Sequence, residues 1–187
     1  TLMNPPNTSR EEIMRVSRKI VSEKGLPALN MRALAKECGI ALGTLYNYYS
    51  DKDELVVAAI ESVWQDILEK SAPDSGVRFS QYVMHIYARI LSGLKDYPDF
   101  FAAHSISVAG SAKGKARGTM ERCFGKIRGE LHAALREDKN VDRSIFSETF
   151  REEDLIEHIL DTITISIING KPDCATLTEI LDRLLYR

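Results

Sequence analysis

Cysteine is scarce and apolar runs are short in this chain of 187 residues, and each scarcity excludes a class of protein. The three cysteines, Cys38, Cys123 and Cys174, are widely separated and odd in number. They form neither a disulfide framework nor a zinc site, and fit buried thiols in a reducing cytoplasm. No apolar run approaches the roughly 20 residues a membrane span needs, and no signal-peptide pattern opens the chain. Sustained strand alternation, repeats and low-complexity segments are all missing. Catalytic signatures are missing too: no Gly-rich phosphate loop, no His pair at metal spacing, no nucleophile motif. A protein that is not an enzyme, with no metal and no cofactor, is the expectation.

An excess of one charge is also lacking, the net being −2, until the chain is divided. Residues 1–52 hold eight Lys and Arg against five acids, a net +3, which leaves −5 for the rest. A basic head on an acidic body points to a head that alone meets a polyanion. The hydrophobic fraction of 44% over this length suffices for one domain, or two small ones, with a sizeable core.

What is present reads as helix throughout, so the fold class is all-α. After a loose Asn4-Pro5-Pro6-Asn7 leader, Ser9-Arg10-Glu11-Glu12 is a capping box, and Ile13, Val16, Ile20 and Val21 follow at helical spacing. Lys24 and Gly25 make a stop with a left-handed cap. Asn30 caps a short second helix carrying Leu34, Ala35 and Cys38 on one side, which Gly39 ends. A third spans Leu42 to Tyr49, because Ser50 already caps a fourth. That fourth runs from Ser50 to Lys70 with Leu55, Ala59, Val63 and Ile67 along one side. Ala72-Pro73-Asp74-Ser75-Gly76 is the clearest break. Beyond it, helices are expected over 79–95, 99–108, 115–136, 151–169 and 173–186, with 141–150 a loop holding a turn of helix. The acids Glu148, Glu152, Glu153, Asp154 and Glu157 crowd a helix start, where they favour the macrodipole and form a solvated face.

The stretch Gly43-Thr44-Leu45-Tyr46-Asn47-Tyr48-Tyr49 packs three of the chain's seven tyrosines into four positions. Short helix, glycine turn, short helix is a helix-turn-helix layout. Two helices crossing closely need a small residue at the contact, a turn residue four later and an apolar residue six after that; Ala35, Gly39 and Leu45 supply them. On the third helix Leu45 and Tyr49 share the inner face, with Leu42 at its edge. Gly43, Thr44, Tyr46 and Asn47 then point outward, with Tyr48 on the flank. An outward face without charge suits a DNA groove, since Asn bonds base edges, Tyr touches a thymine methyl and hydroxyls reach phosphates. The other reading is a three-helix packing unit whose tyrosines cover an interface between domains.

These residues carry a resemblance. The block from about Ser9 to Lys70 resembles the DNA-binding head of the TetR/AcrR family of bacterial transcriptional repressors. It does so through Met31-Arg32-Ala33-Leu34-Ala35-Lys36-Glu37-Cys38-Gly39-Ile40, through Gly43 to Tyr49, and through Ser50-Asp51-Lys52-Asp53-Glu54-Leu55. The resemblance covers the first third of the chain. It implies a head over 1–52, the fourth helix as connector, and a ligand-binding and dimerisation body over 53–187. It further implies a homodimer on a palindromic operator, released by a small apolar or amphipathic effector. Arg32 lies where family members contact DNA, and with Leu42, Gly43, Thr44, Tyr46, Asn47, Tyr48 and Lys52 it makes up the expected DNA-binding set. Where the family often has serine and lysine, this chain has Ala41 and Leu42, so the recognition helix lacks a side-chain cap worth about 1 kcal/mol.

For the body, the resemblance implies a pocket and a four-helix dimer interface. The interface candidates are Ile156, Ile159, Leu160, Ile163 and Ile167, with Leu177, Leu181 and Leu184; ordinary monomer core is the alternative. The pocket candidates are Trp64, Tyr82, His85, Phe101, His104, Met120 and Phe124, on the apolar sides of the middle helices. The fourth helix, as the only element belonging to both parts, is expected to couple them. The competing function is a dimeric DNA-binding or interaction protein with no effector.

Overall fold

The computed structural model describes residues 8–69, 76–98, 100 and 113–186. The leader at 4–7, the break at 72–75 and, apart from Phe100, the helix expected over 99–108 lie outside them. Among the described residues there are eight α-helices and no strand. They are α1 (Arg10–Lys24), α2 (Met31–Cys38), α3 (Leu42–Tyr46), α4 (Lys52–Glu69), α5 (Phe79–Lys95), α6 (Lys113–Glu137), α7 (Glu152–Ile168) and α8 (Ala175–Leu185). Short 3-10 turns occupy Leu26–Ala28 and Arg143–Ile145, the second being the turn expected in the 141–150 loop. None of these helices is long and apolar enough to cross a membrane.

Contacts gather the chain into two compact units: Thr1–Asp66 with Leu94–Met120, and Ile67–Gly93 with Glu121–Arg187. So α4, α5 and α6 each give residues to both units.

In the first unit, Ile13, Val16, Ile20 and Val21 of α1 bury with Leu26, Leu29, Met31, Leu34, Ala35 and Leu45. Only half of the capping box at Ser9 forms: its hydroxyl accepts from the Glu12 amide at 3.1 Å. The Glu12 carboxylate instead takes the Arg15 guanidinium in a two-pronged pair, at 2.8 and 2.6 Å, because a fork fits a carboxylate better than one amide does. Gly25 ends α1 at φ 80°, ψ 161°, an extended conformation rather than the left-handed cap expected, and one that a side chain would resist. At the C-terminal end of the unit's α4 segment, Tyr97 donates to Asp66 at 2.7 Å, and Trp64 meets Phe100 edge to face. Burial and that carboxylate both push the Tyr97 phenol up.

The second unit is tied by one carboxylate. Asp138, buried at the end of α6, accepts from the Phe79 amide at 2.9 Å and from the Tyr186 hydroxyl. It thereby joins the start of α5 to the residue after α8. A Ser80–Asp182 bond of 2.6 Å lies beside it. Arg89 and Glu130 form an ion pair of 2.6 Å, the arginine being almost wholly buried. Of the acids at the start of α7, Asp154 accepts from the Arg151 amide, Glu152 pairs with Arg143, and Glu157 pairs with Arg128 of α6.

Candidate nucleic-acid interface

The helix-turn-helix is built by local rules. Asn30 accepts the Ala33 amide at 2.9 Å and starts α2. At its end Gly39 takes φ 66°, ψ 29°, and two backbone bonds close the turn: Gly39 N to Lys36 O at 3.2 Å, and Ile40 N to Ala35 O at 3.1 Å. This is a Schellman cap, and it needs glycine at the left-handed position. The turn swings the chain so that Leu45 buries fully beside Ala35 and Leu34 in the core, as the spacing predicts.

From there α3 runs only to Tyr46, and Ala41 at its start offers no side-chain cap. Asn47 and Tyr48 form a turn instead of continuing the helix to Tyr49. The tyrosine cluster divides three ways. Tyr49 is buried at 2% exposure, and Tyr46 stands out at 49%. Tyr48 is half-buried, with its hydroxyl donating to the Thr8 carbonyl. Gly43, Asn47, Lys52 and Arg32 are exposed, and Thr44 and Leu42 are half-buried. Around Gly43 a Cβ would meet nothing within 4 Å. The next helix is capped by Asp51 rather than Ser50: Asp51 accepts the Glu54 amide at 2.8 Å. Glu54 reaches back to the Ser50 amide at 2.7 Å and to its hydroxyl, and these bonds hold its carboxyl below the usual range. Both residues are good caps, and the register that lets Glu54 close the loop selects Asp51.

Sequence reasoning missed Arg10. Its guanidinium donates to the Tyr48 carbonyl at 2.8 Å and lies 5.1 Å from the centre of the Tyr49 ring. No periodic signal links two residues that lie 38 positions apart.

The body candidates are more scattered. Trp64 is buried; Tyr82 lines a cleft of about 450 Å³ with Glu130 and Asp138; Phe124 is half-buried. His85 is exposed, because the inner stripe of α5 is Phe79, Val83, Ile86, Tyr87 and Ile90, and position 85 falls outside it. Phe101, His104 and the side chain of Met120 lie outside the described residues. Of the interface candidates, Ile156, Ile159, Leu160, Ile163, Ile167, Leu177 and Leu181 are buried within the monomer. Leu184 is exposed, together with Ile165, Ile168 and Ile180. An apolar groove of about 340 Å³ runs past His158, Thr162, Ile180 and Leu184. Among the described residues no cluster of acids, His and Cys is arranged to hold a metal.

A helix-turn-helix that turns an uncharged polar face to solvent is the layout with which DNA-binding proteins of that class enter a groove. Residues 13–59 match the family described as bacterial regulatory proteins, tetR family. The chain is 32% identical over 99 residues to an HTH-type transcriptional regulator of Haemophilus influenzae, a match covering 46% of this chain and 53% of the relative. It is 32% identical over 77 residues to the HTH-type transcriptional regulator UidR of Escherichia coli K12, covering 41% and 39%. The match thus spans about half the length of these relatives or less. In backbone the chain is similar to a transcriptional regulator from Rhodococcus sp. Rha1, at TM-score 0.65 and 20% identity, covering 88% and 86% of the two chains. It is also similar to the multidrug binding protein EbrR complexed with proflavin, at TM-score 0.62 and 17% identity, covering 94% and 98%. At such identities the likeness is one of fold. The relatives are regulators, not enzymes.

Proposed function

We propose that the chain is a transcriptional repressor that holds a palindromic operator as a homodimer and releases it when a small apolar or amphipathic molecule binds the body. The observation that carries the reading is the outer face of α3. Tyr46 and Asn47 are exposed, beside a glycine at which an added Cβ would meet nothing within 4 Å. Such a face offers base-edge and methyl contacts, and Arg32 and Lys52 are exposed cations of the same head. The head over 1–52 does the reading, and the body over 53–187 supplies dimerisation and the effector site.

For the dimer, support comes from Ile165, Ile168, Ile180 and Leu184, apolar side chains left in solvent on α7 and α8. For the effector, support comes from the likeness to EbrR, which was crystallised with proflavin. An effector acts only through its preference for one state of the protein, typically about 1–3 kcal/mol, and operator DNA must weaken its binding by the same factor. The test is selection of bound duplexes from random DNA, followed by competition with non-specific duplex. A protein that prefers no palindrome is not an operator-binding regulator.

A further inference from the structure

The recognition helix is held from behind by the start of α1, and we propose that Arg10 is the residue that positions it, with Tyr48 as part of the clamp rather than of the DNA contacts. This rests on the DNA-binding reading above. The helix is five residues long and begins at Ala41 without a side-chain cap. So short a helix has no stability of its own and takes its orientation from its neighbours. Its far end is where the neighbours act. Arg10 Nη2 donates to the Tyr48 carbonyl at 2.8 Å, placing a cation against the carbonyl end of the α3 turn, where charge and dipole agree. The same guanidinium lies over the ring of Tyr49, which is itself buried in the core. In the opposite direction the Tyr48 hydroxyl donates to the Thr8 carbonyl.

Residues 8–10 and 48–49 are therefore closed on each other by two hydrogen bonds of opposite sense and one ring contact. Glu54, held by Ser50, adds its negative charge within reach of Arg10. Two consequences follow for DNA. The Tyr48 hydroxyl is already engaged within the protein. One N–H of Arg10 is engaged by the Tyr48 carbonyl, so part of its effect on DNA passes through the direction of α3. Base-edge bonds tolerate little misplacement, on the order of 0.5 Å, whereas attraction to phosphates tolerates much more. Loosening the clamp should damage selective binding and spare non-selective binding.

The experiment measures affinity of Arg10→Ala, Arg10→Lys and Tyr48→Phe for a selected operator and for a non-specific duplex, each across a salt series. Arg10→Ala should lower the ratio of the two affinities about tenfold, as expected for losing a charged hydrogen bond. Arg10→Lys should restore part of it, and the salt slope should stay that of the wild type. Tyr48→Phe should shift the ratio the same way, and its effect combined with Arg10→Ala should be less than the product of the two. Partial unfolding removes protein from both duplexes alike, so it cannot lower the ratio. An unchanged ratio overturns the inference. So does equal loss on both duplexes with a salt slope smaller by about 1, which would make Arg10 a phosphate contact. A wild-type protein that shows no sequence preference in the same assay refutes the DNA-binding reading itself.

Discussion

Gly93 passes so close to Ile67 that a Cβ on the glycine would lie 2.7 Å from Ile67 Cγ2 and 3.0 Å from its Cβ. The nearest atoms include the root of a branched side chain, so turning a rotamer cannot clear the space. Gly93 is buried within α5, where alanine would otherwise be favoured by about 1 kcal/mol. Gly93→Ala should nonetheless destabilise the protein, because overpacking typically costs about 1–3 kcal/mol. Thermal melting checks the sign. In an Ile67→Ala background the same substitution should cost less, or stabilise.

The Asp138 node predicts sensitivity at both ends of the pH scale. Burial raises the Asp138 carboxyl, but bonds from Tyr186, Phe79 and Asn140 outweigh it and leave it below its ordinary value. A carboxyl depressed in the folded state contributes stability above its unfolded pKa of about 3.9, and loses it as pH falls through the folded value. The Tyr186 phenol is pushed up to about 12 by burial and by the bond to Asp138. Its contribution is complete below about pH 10 and disappears between there and about 12. Melting temperature followed against pH should fall in both windows. Asp138→Asn should flatten the acid limb and Tyr186→Phe the alkaline limb, each lowering stability at neutral pH.

Local signals made most of the helices legible. The ends of α5, Phe79 and Lys95, coincide with those the period gives, and Asn30 and Gly39 bound α2 as their chemistry demands. What stayed hidden depends on partners far away in sequence. Asp138 is 59 residues from Phe79 and 48 from Tyr186, and Arg10 is 38 from Tyr48, so no window along the chain contains either pair. The α7 stripe was hidden for another reason. Its last turns carry isoleucine at 163, 165, 167 and 168, and position 163 differs from 165 only in which side the body covers. In the head the outward set of α3 was readable because its inner face is only Leu45 and, beyond the helix, Tyr49.

That distinction on α7 and α8 separates two substitutions that look alike. Ile163 is 2% exposed, so Ile163→Asp puts an unpaired charge in the monomer core and should unfold the chain. Ile180 and Leu184, one turn apart on α8, are 55% and 38% exposed. On the homodimer reading, Ile180→Asp and Leu184→Asp should leave the helical signal and the melting transition close to wild type, while sedimentation shows monomer in place of dimer. Operator affinity should fall with the dimer, since one head then binds without its mate. Variants that remain dimeric would place the interface elsewhere.

Gly43 gives the sharpest separation of folding from function. It lies in α3 and is exposed, and a Cβ there would touch nothing within 4 Å. Glycine inside a helix costs about 0.5–1 kcal/mol relative to alanine, so the fold on its own would favour Gly43→Ala. Among the described residues none crowds this position, and space for an approaching partner would account for a bare backbone. On the DNA-binding reading, the added methyl would occupy part of the gap between α3 and the groove and would hinder approach to its exposed amides. Gly43→Ala should therefore melt at the same temperature as the wild type or slightly higher, yet bind the selected operator about tenfold or more weakly, in keeping with the roughly 1–3 kcal/mol by which a good base contact discriminates. Melting and operator titration on one preparation decide it. A variant equally tight on DNA would mean that the groove does not come near Gly43, and that α3 meets it through another face.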